Sequence, residues 1–392
     1  DDFAPTLYAF KLSVADGYSS INGSDEVLFV DLKNKPTFKS GDTINTNGRF
    51  YLALEAYDRS NGSTEKNGVF DTKVLVDGET IFRYSNKGFF FSESRYANSI
   101  IDYAYSKTNK RRMLWTKQHD NRPPSYVSYG NGGIIEVGQG ELKKVSIILK
   151  DEKANQSEYS FYLRGDLQNP NIGLLNKLNT AGERKNSYHL SWNKANKVSF
   201  PDSSSISTEA GSLYEDLEMK YESTDGRFSK IHCLHDNTVP IHKAFKLRIR
   251  YNEKLIPFKD KAILVSLDDK GRQYNEGGKL EGKYMVCSIK NFGRYTIAID
   301  TVAPKCKPQN FVSGKAFKAK EKKIIVKISD NLAGITSYNA YLNGQWILAE
   351  YDGKSGRLIM DAKKLKQGTN KLTIKLSDSK SNSSSFDYTI IK

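Results

Sequence analysis

The stretch KLTIKLSDSKSNSSSFDYTI, residues 371–390, has a counterpart far upstream in KVSIILKDEKANQSEYSFYL, residues 144–163. Aligned without gaps, Asp151 matches Asp378, Asn155 matches Asn382 and Ser157 matches Ser384. The flanks agree in kind: Val145, Ile147 and Leu149 answer Leu372, Ile374 and Leu376, while Tyr159, Phe161 and Leu163 answer Phe386, Tyr388 and Ile390. Apolar residues at every second position, on both sides of a polar loop, predict two antiparallel strands that each bury one face.

The likeness extends outward. GVFDTKVLVDG (68–78) aligns without gaps to GITSYNAYLNG (334–344), and both end in a hairpin dipeptide, Asp77-Gly78 and Asn343-Gly344. Such pairs accept the positive φ angles of a two-residue type I′ turn. Upstream of each lies an alternating strand closing on aspartate, FYLALEAYD at Asp58 and KIIVKISD at Asp330. Upstream again stands Asp-x-x-Ala-Pro, at 1–5 and 300–304; a proline there lacks the N–H for a central ladder and suits an edge strand.

Short strands repeated in one order predict an all-β chain: tandem immunoglobulin-like β-sandwich domains at the two ends, with a distinct β-rich middle domain. The boundaries read as 1–165 for the first sandwich, 166–187 for a Gly/Asn/Pro-bearing linker, 188–300 for the middle domain and 301–392 for the repeat. Within the middle domain YHLSW, KVSF, AILVSLD, YMVCSI and RYTIAID read as strands, and Asp268-Asp269-Lys270-Gly271 as a turn. The first sandwich is expanded by an insert at about 82–140, rich in aromatics and arginine. SRYANSIIDYAYSK within it predicts a short helix with Ser94 as N-cap and Ile100, Tyr103 and Ala104 on one face.

Loops that grow on a rigid sandwich are common places for binding. Arg95, Arg111, Arg112, Trp115, Tyr126 and Tyr129 are therefore the candidate contact residues, with Arg83 and Arg122 beside them. The aromatic members serve equally as a roof over a sandwich core. His232, His235 and His242 in IHCLHDNTVPIHK are weak metal candidates: zinc needs about four ligands, and on a strand His232 and His235 point to opposite faces. The aspartate pairs Asp58 with Asp151 and Asp330 with Asp378 offer carboxylates to calcium, or fold back on their own backbone in turns, the usual use of such residues between strands.

The chain has 392 residues, 60 Lys and Arg against 45 Asp and Glu, and a net charge of +15. That balance favours polyanionic neighbours, yet the basic residues are spread over the chain without a long run, so specific nucleic-acid binding is not expected. Three cysteines, Cys233, Cys287 and Cys306, are too few for a disulfide framework, and Cys287 is expected as an unpaired core thiol. No run approaches the roughly 18 apolar residues of a membrane-spanning helix. The sequence opens on DDFAPTLYAF, which reads as a mature or trimmed chain.

ALEAYDRSNGS (53–63), FFFSESRYANSIIDY (89–103), GGIIEV (132–137), HDNTVPIHKAF (235–245), NFGRYTIAIDTVAP (291–304) and AGITSYNAYLNGQWILAEYD (333–352) carry a family likeness in family order. Together they resemble the region that follows the catalytic domain in large LytM-type (lysostaphin-like) zinc endopeptidases of Gram-negative envelopes. The resemblance implies a periplasmic or envelope protein, outer-membrane associated, working at peptidoglycan or with envelope proteins in a larger complex. Zinc in that family is held by a His-x-x-x-Asp and a His-x-His segment in a domain that would precede Asp1. The histidines here are His119, His189, His232, His235 and His242, with no His-x-His among them. No catalytic residue is carried over, no cofactor is expected in this chain, and zinc is expected only with an upstream catalytic domain. The expected role is a non-catalytic module that positions or scaffolds such a protein; the alternative is a structural subunit of an envelope assembly.

Overall fold

The computed structural model describes residues 2–33, 38–121, 125–166, 187–318 and 320–392. The expected linker falls outside the described residues except for its ends, as does Arg122. The chain is built of β-sheets around three large apolar cores, one for each expected domain region.

The last sandwich shows the order most plainly. One sheet runs Lys305–Pro308, Lys323–Ser329, Arg357–Asp361, Ala349–Asp352; the other runs Gln345–Ile347, Ile335–Leu342, Thr369–Asp378, Ser383–Ile391. Assigned in chain order, these are the A-B-E-D and C′-C-F-G sheets of an immunoglobulin-like fold. Period-two alternation sends Ile324, Val326, Leu358 and Met360 inward from one sheet against Leu372, Ile374 and Leu376 from the other.

The first sandwich repeats the second of these sheets, with Asp71–Val76 paired to Glu79–Ser85 and to Leu142–Lys150, and Leu142–Lys150 paired to Gln156–Gly165. Its opposite sheet is led by Thr6–Val14 on Thr43–Tyr57. The 15-residue strand Thr43–Tyr57 also pairs in parallel with Gln156–Gly165, which joins the two sheets into one path.

The repeat holds at the level of single bonds. Asn155 N donates to Asp151 Oδ1 at 2.8 Å and Asn155 Nδ2 to Oδ2 at 2.7 Å; Asn382 makes the same two bonds to Asp378 at the same lengths. Ser157 Oγ donates to Pro5 O, and Ser384 Oγ to Pro304 O. Asp77-Gly78 and Asn343-Gly344 take φ of 49° and 89°, and 50° and 82°, the double positive pair of a type I′ turn.

In the middle domain Ser187–Leu190, Leu217–Thr224, Ile231–Leu234, Gly293–Ile299, Ala262–Leu267 and Gln273–Gly277 form one sheet. Asn196–Ser199, Ser205–Thr208, Phe245–Arg250, Tyr284–Ile289 and Lys279–Glu281 form the other. Asp268 accepts N–H bonds from Lys270 and Arg272, the turn expected there.

The insert differs from expectation in one element. Its helical stretch is split into a 3-10 segment, Phe91–Ser99, and an α-helix, Tyr103–Asn109. The α-helix is capped by Asp102, whose carboxylate accepts from Tyr105 N, and not by Ser94, whose hydroxyl donates to Phe91 O. Asp102 also pairs with Lys11, which fixes the break in the helix against the sandwich. All three thiols are free, with Cys287 and Cys306 buried.

Candidate functional site

Two polar networks lie where the domains meet. At the first seam the insert lies against the middle domain. Arg95 Nε donates to Ile241 O at 3.2 Å and its Nη2 to Lys290 O at 3.3 Å, while Tyr214 Oη donates back to Arg95 O. Asn121 Nδ2 donates to Leu213 O at 2.9 Å, and Asn121 N to Tyr214 O at 2.9 Å. Lys117 Nζ lies 2.6 Å from Glu215, and buried His119 faces the same carboxylate at 3.4 Å. Tyr96 lies against His242 with ring centroids 4.1 Å apart and the planes tilted by 39°.

Charge at this seam is tuned by its neighbours. Burial works to raise the Glu215 carboxyl, but the His119 and Lys117 bonds outweigh it and pull the group down to about 2. His242 is pushed below its ordinary value, first by burial and then by the charges of Arg95 and Lys243. Tyr214 is raised by burial.

The second seam joins the middle domain to the last sandwich. Lys261 Nζ donates to Asn382 Oδ1 at 2.6 Å and to Lys380 O at 2.7 Å, and Asn382 Nδ2 donates to Asp300 O at 3.0 Å. Asp300 Oδ2 accepts Ala333 N at 2.6 Å, and Asn275 and Ser379 both donate to Ala333 O. Ala333 and Leu332 pack on Ile263, Val265 and Ala298 of the middle sheet. Among the described residues, carboxylates of Asp300, Asp330 and Asp378 come within 4.8 Å of one another here. The expected Asp330–Asp378 pairing is thus real, and its carboxylates receive backbone N–H bonds: Asp330 from Leu332 and Gly334, Asp378 from Lys380 and Asn382. These bonds are a turn-forming use, while Asp330 Oδ1 is buried without a hydrogen-bond partner among the described residues, beside the other two carboxylates, so the calcium alternative stands next to it.

The side chains of five of the six candidate contact residues of the insert have partners inside the molecule. Arg95 is committed to the first seam. Arg111 Nε sits 2.7 Å from Glu55, a carboxylate with no exposure. Trp115 packs with Ala9, Ala53 and Met113 and meets Tyr51 edge-on. Tyr126 lies against Tyr84 and Phe89, and burial raises its hydroxyl to about 12; Tyr129 meets Phe82, its hydroxyl raised by burial. Arg112 alone of the six is exposed. The insert's open surface is Phe89, Phe90 and Phe91, at 54, 76 and 95 % exposure, which composition had not set apart from its other aromatics.

The three histidines do not share a site. His232 is fully buried, with Nδ1 3.0 Å from Tyr221 Oη and Nε2 3.4 Å from Asp202. Burial raises Asp202, and the His232 and Ser204 bonds outweigh it, bringing the group to about 2. His235 accepts Lys220 N, and His242 belongs to the first seam. His232 and Asp236 do have the His-x-x-x-Asp spacing, but Asp236 bonds the backbone of Thr238 in its own turn.

Residues 187–300 match a family model described as a Zu5-like domain. A search of curated proteins finds no match. Among solved structures, the chain is similar to the fibronectin(III)-like modules of Clostridium thermocellum CbhA, at 7% identity over 95% of this chain and 93% of that one, with a TM-score of 0.19. A 1.5-MDa bacterial ice-binding adhesin aligns at 8% identity over 88% and 91% of the two chains, with a TM-score of 0.17. Bacteroides ovatus SGBP-B, solved with a mixed-linkage heptasaccharide, aligns at 9% identity over 95% and 70%, with a TM-score of 0.15.

Proposed function

We propose that this chain is a non-catalytic β-sandwich module of a cell-envelope, LytM-type peptidase-like protein, and that it holds that protein in fixed register at peptidoglycan or envelope partners. The observation that supports it is the pair of built seams. Arg95 and Asn121 tie the first domain to the second, and Lys261, Asp300 and Asn382 tie the second to the third. Sandwiches joined by specific side-chain bonds keep a set spacing, which a positioning module requires and a string of free domains lacks. Incubating the purified chain with isolated sacculi and with solubilised envelope proteins tests this. Retention on one of them is expected, reduced in an Arg95→Ala/Asn382→Ala variant whose separate domains remain folded; passage of the native chain through both would sink the reading.

A second reading, a structural subunit of an envelope assembly, is favoured by Phe89, Phe90 and Phe91. Three consecutive exposed phenylalanines beside the first seam suit a protein partner that would cover them.

A further inference from the structure

We propose that the outer face of the sheet containing Lys305–Pro308, Lys323–Ser329 and Arg357–Asp361 binds a linear acidic polysaccharide. The charge of the chain is concentrated in this domain: residues 301–392 hold 17 Lys and Arg against 7 Asp and Glu, a net +10 of the total +15. Register then aligns part of that charge. Lys307 lies directly opposite Lys327, and Lys327 directly opposite Arg357, so three cations form a row across adjacent strands. Lys305 and Lys323 extend the same face, where Asp361 stands directly opposite Lys323 and Glu350 opposite Ile359. All five are exposed, and none is in an ion pair among the described residues. Asp352 stands at the far end of the row, opposite Arg357, with its carboxylate stabilised by the bonds from Ser355 Oγ and Lys354 N and by the charge of Arg357.

Like charges directly opposite on neighbouring strands destabilise a sheet. Neighbouring strands lie about 4.8 Å apart, so each ammonium or guanidinium raises the local potential felt by the next. An extended polymer with repeated carboxylates or sulfates neutralises such a row. The chemistry of the face selects among polyanions. These three strands present no outward aromatic ring on which a nucleobase could stack, and their outward apolar side chains, Ile325 and Ile359, are half-buried between the cations and so offer little to a bilayer or a protein hot spot. What remains on them is a face with five cations against the single carboxylate of Asp361, matched to a chain of charged sugars. This goes beyond the scaffold reading and stands without it, since a soluble polymer tests the last domain with no sacculus or envelope protein present.

The test is titration of the whole chain with polygalacturonate at low and high salt. Double-stranded DNA and phosphatidylglycerol vesicles form parallel arms. Binding to polygalacturonate that falls with salt is expected. A Lys307→Thr/Lys327→Thr/Arg357→Thr variant should weaken it by at least about tenfold, or about 1.4 kcal/mol. Its thermal midpoint should be unchanged or higher, because the like-charge neighbours are gone. Removing as much charge elsewhere on the same domain, in Lys315→Thr/Lys371→Thr/Lys375→Thr, should leave binding within about threefold. Equal loss in the two variants would reduce the effect to net charge and overturn the site. Tighter binding of DNA or vesicles through the same row would overturn the ligand class, and no polygalacturonate binding by the native chain would overturn both.

Discussion

Replacing Arg95 with alanine should loosen the first seam and leave the domains intact. The substitution removes two charge-assisted bonds, to Ile241 O at 3.2 Å and Lys290 O at 3.3 Å. Hydrogen bonds to charged groups contribute roughly 1.5–3 kcal/mol each, and these two are long, so the lower figure applies. The sum of about 3 kcal/mol is offset in part, because the Lys290 bond is exposed and water takes over that carbonyl. A net loss of about 2 kcal/mol remains, roughly a 30-fold rise in the open population. The amide of Asn121 reports it directly, since its N–H crosses the seam to Tyr214 O. Hydrogen exchange at Asn121 should accelerate by about 30-fold, while amides of Thr369–Asp378 in the last sandwich keep their native rates. An Asn121 rate unchanged within a factor of about three would refute the claim that Arg95 holds the seam, as would an equal acceleration everywhere.

The same seam should weaken in acid. His242 has a folded-state value below its unfolded value of about 6.5, so protonation favours the open form and stability is lost as pH falls from about 6.5; the Asn121 exchange rate against pH checks this. Glu215, held near 2, adds a second loss between its unfolded value of about 4.5 and that figure, because its stabilisation is present only while it is charged in both states. Arg111→Ala strands the buried carboxylate of Glu55 and should lower stability by about 2 kcal/mol, reduced from the fully buried case because Arg111 is 37% exposed. Arg112→Ala should stay within about 0.5 kcal/mol, and denaturant melting of the pair decides. Native-state thiol labelling should modify Cys233 first, with buried Cys287 and Cys306 reacting only on unfolding.

What the sequence showed of this fold follows the range of the interactions involved. The Asp151–Asn155 and Asp378–Asn382 bonds close within a five-residue loop, so the letters that make them sit side by side and repeat together. The Asp-Gly and Asn-Gly turns are likewise local, because two positive φ angles in succession demand those residue types. Leu217–Thr224 and Phe245–Arg250 in the middle domain alternate just as cleanly, with Met219 and Tyr221, or Leu247 and Ile249, turned inward. The seams are different in kind. Arg95 bonds carbonyls 146 and 195 positions away. A backbone carbonyl has no sequence signature, so an arginine that fills an internal seam and one that greets an external partner spell alike. Arg95, Arg111 and Trp115 were legible as anchors, but not as anchors turned inward.

The basic face of the last domain shows the same limit from the opposite side. Read along the chain, its cations form no run, because a strand sends every second residue to the other face and Cys306, Val326 and Leu358 occupy the intervening inward positions. Lys307, Lys327 and Arg357 are separated by 20 and 30 positions, and antiparallel register makes them neighbours. A helix or disordered tail displays charge in sequence order, so a basic run is the right signal there. A sheet displays it in ladder order. In an all-β chain, a net charge that looks evenly scattered can therefore be a row of adjacent cations on one sheet face, and the repulsion within that row is the physical reason to look for the anion it would hold.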